Sequence, residues 1–169
     1  MKLPKIKFNL NFGKRETLTV LLLRFGMGWV MLYSGISKIV NPYWTAAPYL
    51  ESAHHMQRFF LWLASPENIV WVDFINKWGV LLIGIALIIG FAVRYASWFG
   101  ILAMLLYYLP ALEFPYVALG KWFLVSEHII FALVFFELIG TRAGEVWGVD
   151  RFLKDHHILA RRVKKTGKE

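Results

Sequence analysis

Charge is nearly absent from four long stretches of this chain, and that absence limits the fold more than any motif does. Residues 78–93 (WGVLLIGIALIIGFAV) and 95–112 (YASWFGILAMLLYYLPAL) contain no Asp, Glu, Lys or Arg. Residues 17–40 carry only Arg24 and Lys38, and residues 121–140 only Lys121, Glu127 and Glu137. Soluble domains hold about a quarter charged residues and intersperse them with apolar ones. Here 18% are charged, 58% are hydrophobic and the mean hydropathy is +0.52. A bilayer core of ~30 Å needs about 20 helical residues at 1.5 Å each, which the first stretch supplies with a little to spare. The second stretch is short, so its span is expected to take in Phe74, Ile75 and Asn76 and to run over 74–93. The expected fold is all-α: an integral membrane four-helix bundle, antiparallel and up-down. Its membrane domain covers 17–140, with spans at 17–40, 74–93, 95–112 and 121–140. A basic tail, 1–16, precedes it, and a basic amphipathic tail, 141–169, follows. Pro110 falls near the end of the third span, where a missing N–H does least harm.

Lys and Arg fix the expected orientation. Five lie in the N-terminal tail, Arg94 lies in the tight link between spans two and three, and eight follow the fourth span. The other side holds Lys38, Arg58, Lys77 and Lys121. This imbalance puts both termini in the cytoplasm and the protein in the cell membrane as a multi-pass chain. The net charge of +8 is concentrated in those tails. It points to anionic membrane lipid as a partner and not to nucleic acid. The first span has the basic flank of a signal peptide, but Arg24 interrupts it and no small-residue cleavage site follows, so it is read as retained. With no cysteine, the chain has no thiolate metal site, no CxxC relay and no disulfide.

Between the first two spans, residues 41–73 are too polar to cross and too aromatic to be a simple linker. From Tyr49 to Leu63, Leu50, Ala53, Phe60 and Leu63 share one helical face, so an amphipathic interfacial segment is expected over the bundle mouth. His54 and His55 are adjacent, and neighbouring helix positions point ~100° apart, so exposed histidines are favoured over a metal site. The stretch Ile6, Phe8, Leu10 and Phe12 alternates with polar residues at strand period. If ordered, it suits addition to a partner's sheet edge. In the C-terminal tail, Val146, Val149, Phe152 and Leu153 lie close to one face of an expected interfacial helix.

The charges inside the spans define the candidate site. A charge at bilayer mid-depth costs ~2.5–3.5 kcal/mol on insertion scales and therefore seeks a partner inside the bundle. Arg24, Gly28, Met31, Gly35 and Lys38 recur at steps of four and three, making one stripe with two glycines that admit a neighbouring helix. Depth matching pairs Arg24 with Glu137 and Lys38 with Glu127, if the first and fourth helices touch. Such pairs either lock the helix register or line a polar pocket. In the pocket, Arg24, Lys38 and Glu137 grip a head group while Glu127 and His128 move protons. His128 is the only histidine within a span, which argues against bis-histidine haem.

Three segments carry a family resemblance: "LLLRFGMGWVMLYSGISKI", "WGVLLIGIALIIGFAVRYAS" and "HIIFALVFFELIGTRAGEVWGVDRFL". They resemble the DoxX/DoxD family of small four-helix membrane proteins. The "NPYWTAAPYL" after the first span is similar to the DoxD branch, the membrane subunit of thiosulfate:quinone oxidoreductase. The positions that carry over are Arg24, Gly28, Gly35, Lys38, Gly84, Gly90, His128, Gly144, Gly148 and Asp150. The resemblance implies a membrane component of an oxidoreductase with quinone as electron acceptor; the residues themselves lead to no expected haem or metal. With no cysteine and no haem pair the chain lacks an electron carrier of its own, so a partner subunit is expected to supply electrons, and further copies of the chain are the other expected partner. Two readings therefore stand. One is a quinone-linked subunit with a polar site between helices. The other is a non-catalytic membrane anchor or assembly subunit whose buried charges are structural.

Overall fold

The computed structural model describes residues 13–112, 124–154 and 156. The alternating segment at 5–12 and most of the C-terminal tail lie outside the described residues. Those described fold into six α-helices, with no strand among them. Helix α1 is Lys14–Val40, α2 Ala47–Glu51, α3 Gln57–Ala64, α4 Ile69–Ile89, α5 Val93–Ala111 and α6 Glu127–Gly140. A 3-10 turn at Ala143–Glu145 and a short helix from 149 follow.

α1 starts where the Glu16 carboxylate turns back to accept the Gly13 N–H at 3.0 Å, satisfying a donor that the first helical turn leaves free. Its buried residues are Val20, Arg24, Met27, Gly28, Met31 and Gly35, so the stripe seen in the sequence does face inward. It faces α4, however, and not α6. A Cβ on Gly35 would lie 2.7 Å from the Leu81 backbone, and one on Gly84 would run into the backbone of Leu32. Only glycine at these positions lets the two helices approach this closely. α5 packs mainly on α6, where Gly100 receives the fully buried ring of Phe135. Val20, Met27, Met31, Val80, Leu87, Met104 and Phe135 belong to the shared core.

α4 begins at Ile69, ahead of the expected span, and ends at Ile89 because Gly90 takes φ +75°. That left-handed cap suits glycine and closes the helix sharply before α5. α6 begins at Glu127, inside the expected 121–140 span; residues 113–123 are not described. The expected helix over 49–63 is instead two, α2 and α3, broken at residues 52–56 where Met56 takes φ 51°. Leu50, Ala53 and Phe60 are nevertheless buried together, with Leu63 packed against them. The α2 end is tied to α4 by Ala46 N–H donating to Asp73 Oδ1 at 2.8 Å.

The outer surface is apolar. Leu22, Trp29, Leu82, Phe99, Leu133 and Phe136 are each more than half exposed. α1 and α4 are long and apolar enough to cross a membrane. Exposed side chains of this kind, wrapped around helices whose backbone bonds are internal, are what a hydrocarbon solvent requires.

Candidate functional site

Two polar clusters sit at opposite ends of α1, and they are built differently. At the Arg24 end the side chain is fully buried. Its Nη1 donates to the carbonyls of Ala143 and Val146, both at 2.6 Å, and Nη2 to that of Trp147 at 3.3 Å. The guanidinium thus reads the carbonyls of the turn after α6, of which Ala143 O also accepts the Val146 N–H at 3.2 Å. Asp150 completes this end: its carboxylate accepts the N–H groups of Ala92 at 2.7 Å and Val93 at 3.1 Å, and its own N–H donates to Gly90 O at 3.0 Å. It caps the N-terminus of α5, where an anion is favoured. Arg24 and Asp150 therefore clasp three chain segments together.

The expected partner of Arg24, Glu137, lies on the exposed side of α6. The pairing fails because the glycine stripe turns Arg24 toward α4 and the turn beyond α6. Main-chain carbonyls there accept its N–H groups, and the nearby Asp150, not Glu137, is the carboxylate that supplies the opposite charge.

At the other end, Lys38 Nζ donates to Asn76 Oδ1 at 2.6 Å and to Tyr107 Oη at 3.2 Å, and Tyr107 O–H donates to the same Asn76 oxygen at 2.9 Å. α1, α4 and α5 each contribute one member of this triangle. Lys38 also lies over the rings of Trp44 and Tyr107, 5.0 Å from each centroid, and Lys77 lies 5.3 Å from the Trp44 centroid. Such contacts hold a cation without neutralising it. The expected Lys38–Glu127 pair is absent. Glu127 is exposed in the first turn of α6, while Lys38 is directed to α4 and α5. His128 is half-buried, its ring edge-on to Tyr107 at 5.9 Å and its Nδ1 3.4 Å from Ser126 Oγ. Lys38 and His128 are thus brought to one tyrosine, and Arg24, Glu127 and Glu137 are not. Tyr49, on α2, donates its hydroxyl to the Tyr107 carbonyl. Burial and the negative charge of Glu127 hold the Tyr49 phenol above its usual pKa.

Asn76 and Tyr107 also line a groove of about 730 Å³ between α4 and α5, roofed by α2 and α3. It runs from Tyr49, Asn76 and Tyr107 past Ile83, Ala86 and Phe99 to Phe91 and Ala92, and its walls are almost wholly apolar. Lys38 stands behind its polar end. Sequence reasoning missed Asn76 and Tyr107 because neither carries a charge. Their signal was a lone amide at the start of an apolar span and a tyrosine pair before Pro110. Among the described residues, no three His, Asp or Glu side chains gather as a metal site.

Helices with an apolar exterior throughout the described residues define a helical membrane protein, and the apolar groove closed by one polar triangle is its candidate site. The DoxX family model matches residues 19–111, more than half of the sequence, and the chain belongs to the DoxX family. The match spans Arg24, Lys38, Asn76 and Tyr107, and ends with α5. Comparison with curated proteins and with solved structures gives no match.

Proposed function

We propose that this chain is a four-span, quinone-linked membrane subunit that holds the quinone head group at Asn76 and Tyr107, with the tail along the α4–α5 groove. The observation that carries the reading is the polar triangle at one end of an apolar groove open along the helices. The groove fits the group on two counts: its walls suit a ring and a prenyl tail, and its closed end offers hydrogen-bonding groups of fixed direction. A quinone, when bound, supplies two-electron, two-proton redox capacity.

The chain's own residues do the rest. Asn76 stands at the head of the groove with its oxygen held by Lys38 and Tyr107, and Tyr107 O–H donates to a head group by turning from that oxygen, while Lys38 keeps the ring oriented. Lys38 has three N–H donors, two of them used here, so it can return a proton to Tyr107. His128, edge-on to the same ring, and exposed Glu127 extend the polar groups from Tyr107 toward the surface. α2 and α3 cover this end and limit water, which strengthens each of these contacts. Arg24 and Glu137 are not part of this site. Electrons come from a partner subunit, and oxidation of a sulfur compound there is the reaction that the family resemblance favours.

Binding of a short-tailed quinone to the purified chain in detergent tests this. Saturable binding is expected, weakened about tenfold by Tyr107→Phe, the loss of one buried hydrogen bond, and abolished by Ala103→Trp, which fills the groove. If binding does not saturate, or if Ala103→Trp binds as well as the parent, the reading is wrong. The anchor-subunit reading then takes its place, favoured by the wholly structural surroundings of Arg24.

A further inference from the structure

The end of the molecule opposite the polar triangle carries a feature that neither the fold nor the proposed head-group site requires. Trp147 takes φ 51°, a backbone conformation that a bulky L-residue rarely adopts, and its side chain is 77% exposed. Internal packing does not explain an indole placed this way. Its position is enforced from inside, because the carbonyls of Ala143, Val146 and Trp147 are all held by the buried Arg24. Beside it lies a shallow cavity of about 420 Å³ walled by Ile89, Trp147, Gly148, Val149, Arg151 and Phe152. Phe152 is 63% exposed.

The charges around this cavity are unbalanced. Asp150 is turned inward onto the N–H groups of Ala92 and Val93. Glu145 is paired with Lys154 at 2.5 Å. Arg94, Arg142 and Arg151 are exposed, and none of them has a carboxylate within ion-pair distance among the described residues. Asp150 and Glu145 are thus occupied, and against three exposed guanidinium groups Glu137 remains as an exposed acid among the described residues of this end.

We propose that this cavity binds an anionic phospholipid of the adjacent leaflet, with Arg151 on the phosphate and Trp147 and Phe152 against the glycerol and upper acyl chain. The apolar walls distinguish this occupant from a free phosphate. They give an anion nothing, but they cover the first methylenes of a lipid. Guanidinium groups with an amphipathic indole at headgroup level match a negatively charged membrane surface. Arg24 is a positioning residue here: it touches no lipid and sets the turn that presents Trp147.

Native mass spectrometry of the full chain tests the assignment, using phosphatidylglycerol and phosphatidylcholine with identical acyl chains. Phosphatidylglycerol adducts are expected to survive detergent stripping several-fold better than phosphatidylcholine adducts. Arg151→Gln should weaken phosphatidylglycerol retention about fivefold, the effect of one cation near an anionic surface. Trp147→Ala should reduce retention of both lipids. Arg58→Gln, an exposed cation on α3, should leave retention unchanged. Arg151 is exposed, so its substitution leaves the fold intact, and an unaltered melting temperature verifies this. Equal retention of the two lipids, or an Arg151→Gln chain indistinguishable from the parent, overturns the proposal. So does full displacement of the lipid by millimolar glycerol phosphate, which would make the site one for a soluble anion.

Discussion

At the scale of single residues, Arg24 is the most demanding group in the chain. It is fully buried, and its Nε has no partner among the described residues. The two terminal nitrogens must therefore offset the loss of water through three carbonyls and the nearby Asp150. Hydrogen bonds from a charged donor are worth about 1.5–3 kcal/mol each. Arg24→Leu is expected to lower stability by roughly 3 kcal/mol or more, since it also strands the carbonyls it leaves. Arg24→Lys should recover only part of this, because one ammonium lacks the flat fork that reaches the whole turn. Thermal unfolding in detergent measures both, and the losses should change little with salt because the group is screened from solvent. A loss under about 0.5 kcal/mol, the range of an ordinary surface change, would show that the clasp does not hold this end together. The need for a partner was legible in the sequence; the partner was not. A cation in an apolar stretch declares its cost through its neighbours in the chain, whereas main-chain carbonyls at a distant turn leave no mark on residue type.

At the scale of elements, the pairing of α1 with α4 decides which groups meet. Gly35 lies one turn before Lys38, and a Cβ there would press on Leu81. Gly35→Ala should cost about 1–3 kcal/mol as overpacking. It should also move Lys38 away from Asn76, weakening quinone binding while the Arg24 end stays intact. Normal binding in a destabilised Gly35→Ala chain would separate the two effects and remove Lys38 from the site. The glycine stripe was visible as periodicity, but which helix it faced depended on a complementary glycine, Gly84, in another segment. Depth matching alone therefore chose the wrong neighbour. The α2–α3 cover offers a second check, through Tyr49 and its bond to the Tyr107 carbonyl. Its phenol is held above the ordinary value of about 10 by burial and by Glu127. The folded state thus favours the protonated form, so the bond contributes fully below that ordinary value and is lost as pH rises through the raised one. A tyrosinate difference titration between the parent and Tyr49→Phe should show one ionisation above pH about 10, and Glu127→Gln should move it down. An ionisation at or below the ordinary value would mean that the cover does not close over Tyr49.

At the scale of the whole molecule, the apolar exterior and the two polar ends define an axis along which the chain meets a membrane. Lys38, Trp44 and the α2–α3 cover mark one end, and Arg24, Trp147 and the basic tail mark the other. The tails and the Arg94 link carry most of the lysine and arginine, so a cytoplasmic Arg24 end is the expectation to be tested. Among the described residues, α1 and α4 alone meet the length and hydropathy expected of a span. Four crossings therefore rest on α5 and α6 completing the layer, with the polar triangle binding α5 to both. The chain contains no cysteine, so single cysteines can be introduced without a background. Thr45 is exposed just before α2, and Lys154 is exposed in the helix after the 3-10 turn. In intact cells, a membrane-impermeant maleimide is expected to label Thr45→Cys and to leave Lys154→Cys unlabelled until the membrane is opened. Gly140→Cys, at the end of α6, should behave like Lys154→Cys if α6 runs inward. Labelling of Thr45→Cys and Lys154→Cys from the same side would mean an odd change in the number of crossings between them. That result would dismantle the four-span arrangement while leaving the α1–α4 pair in place. The reverse pattern, with Lys154→Cys labelled from outside, would keep the bundle and invert it. The proposed quinone site would then lie at the cytoplasmic face, and its protons would be exchanged with the opposite compartment.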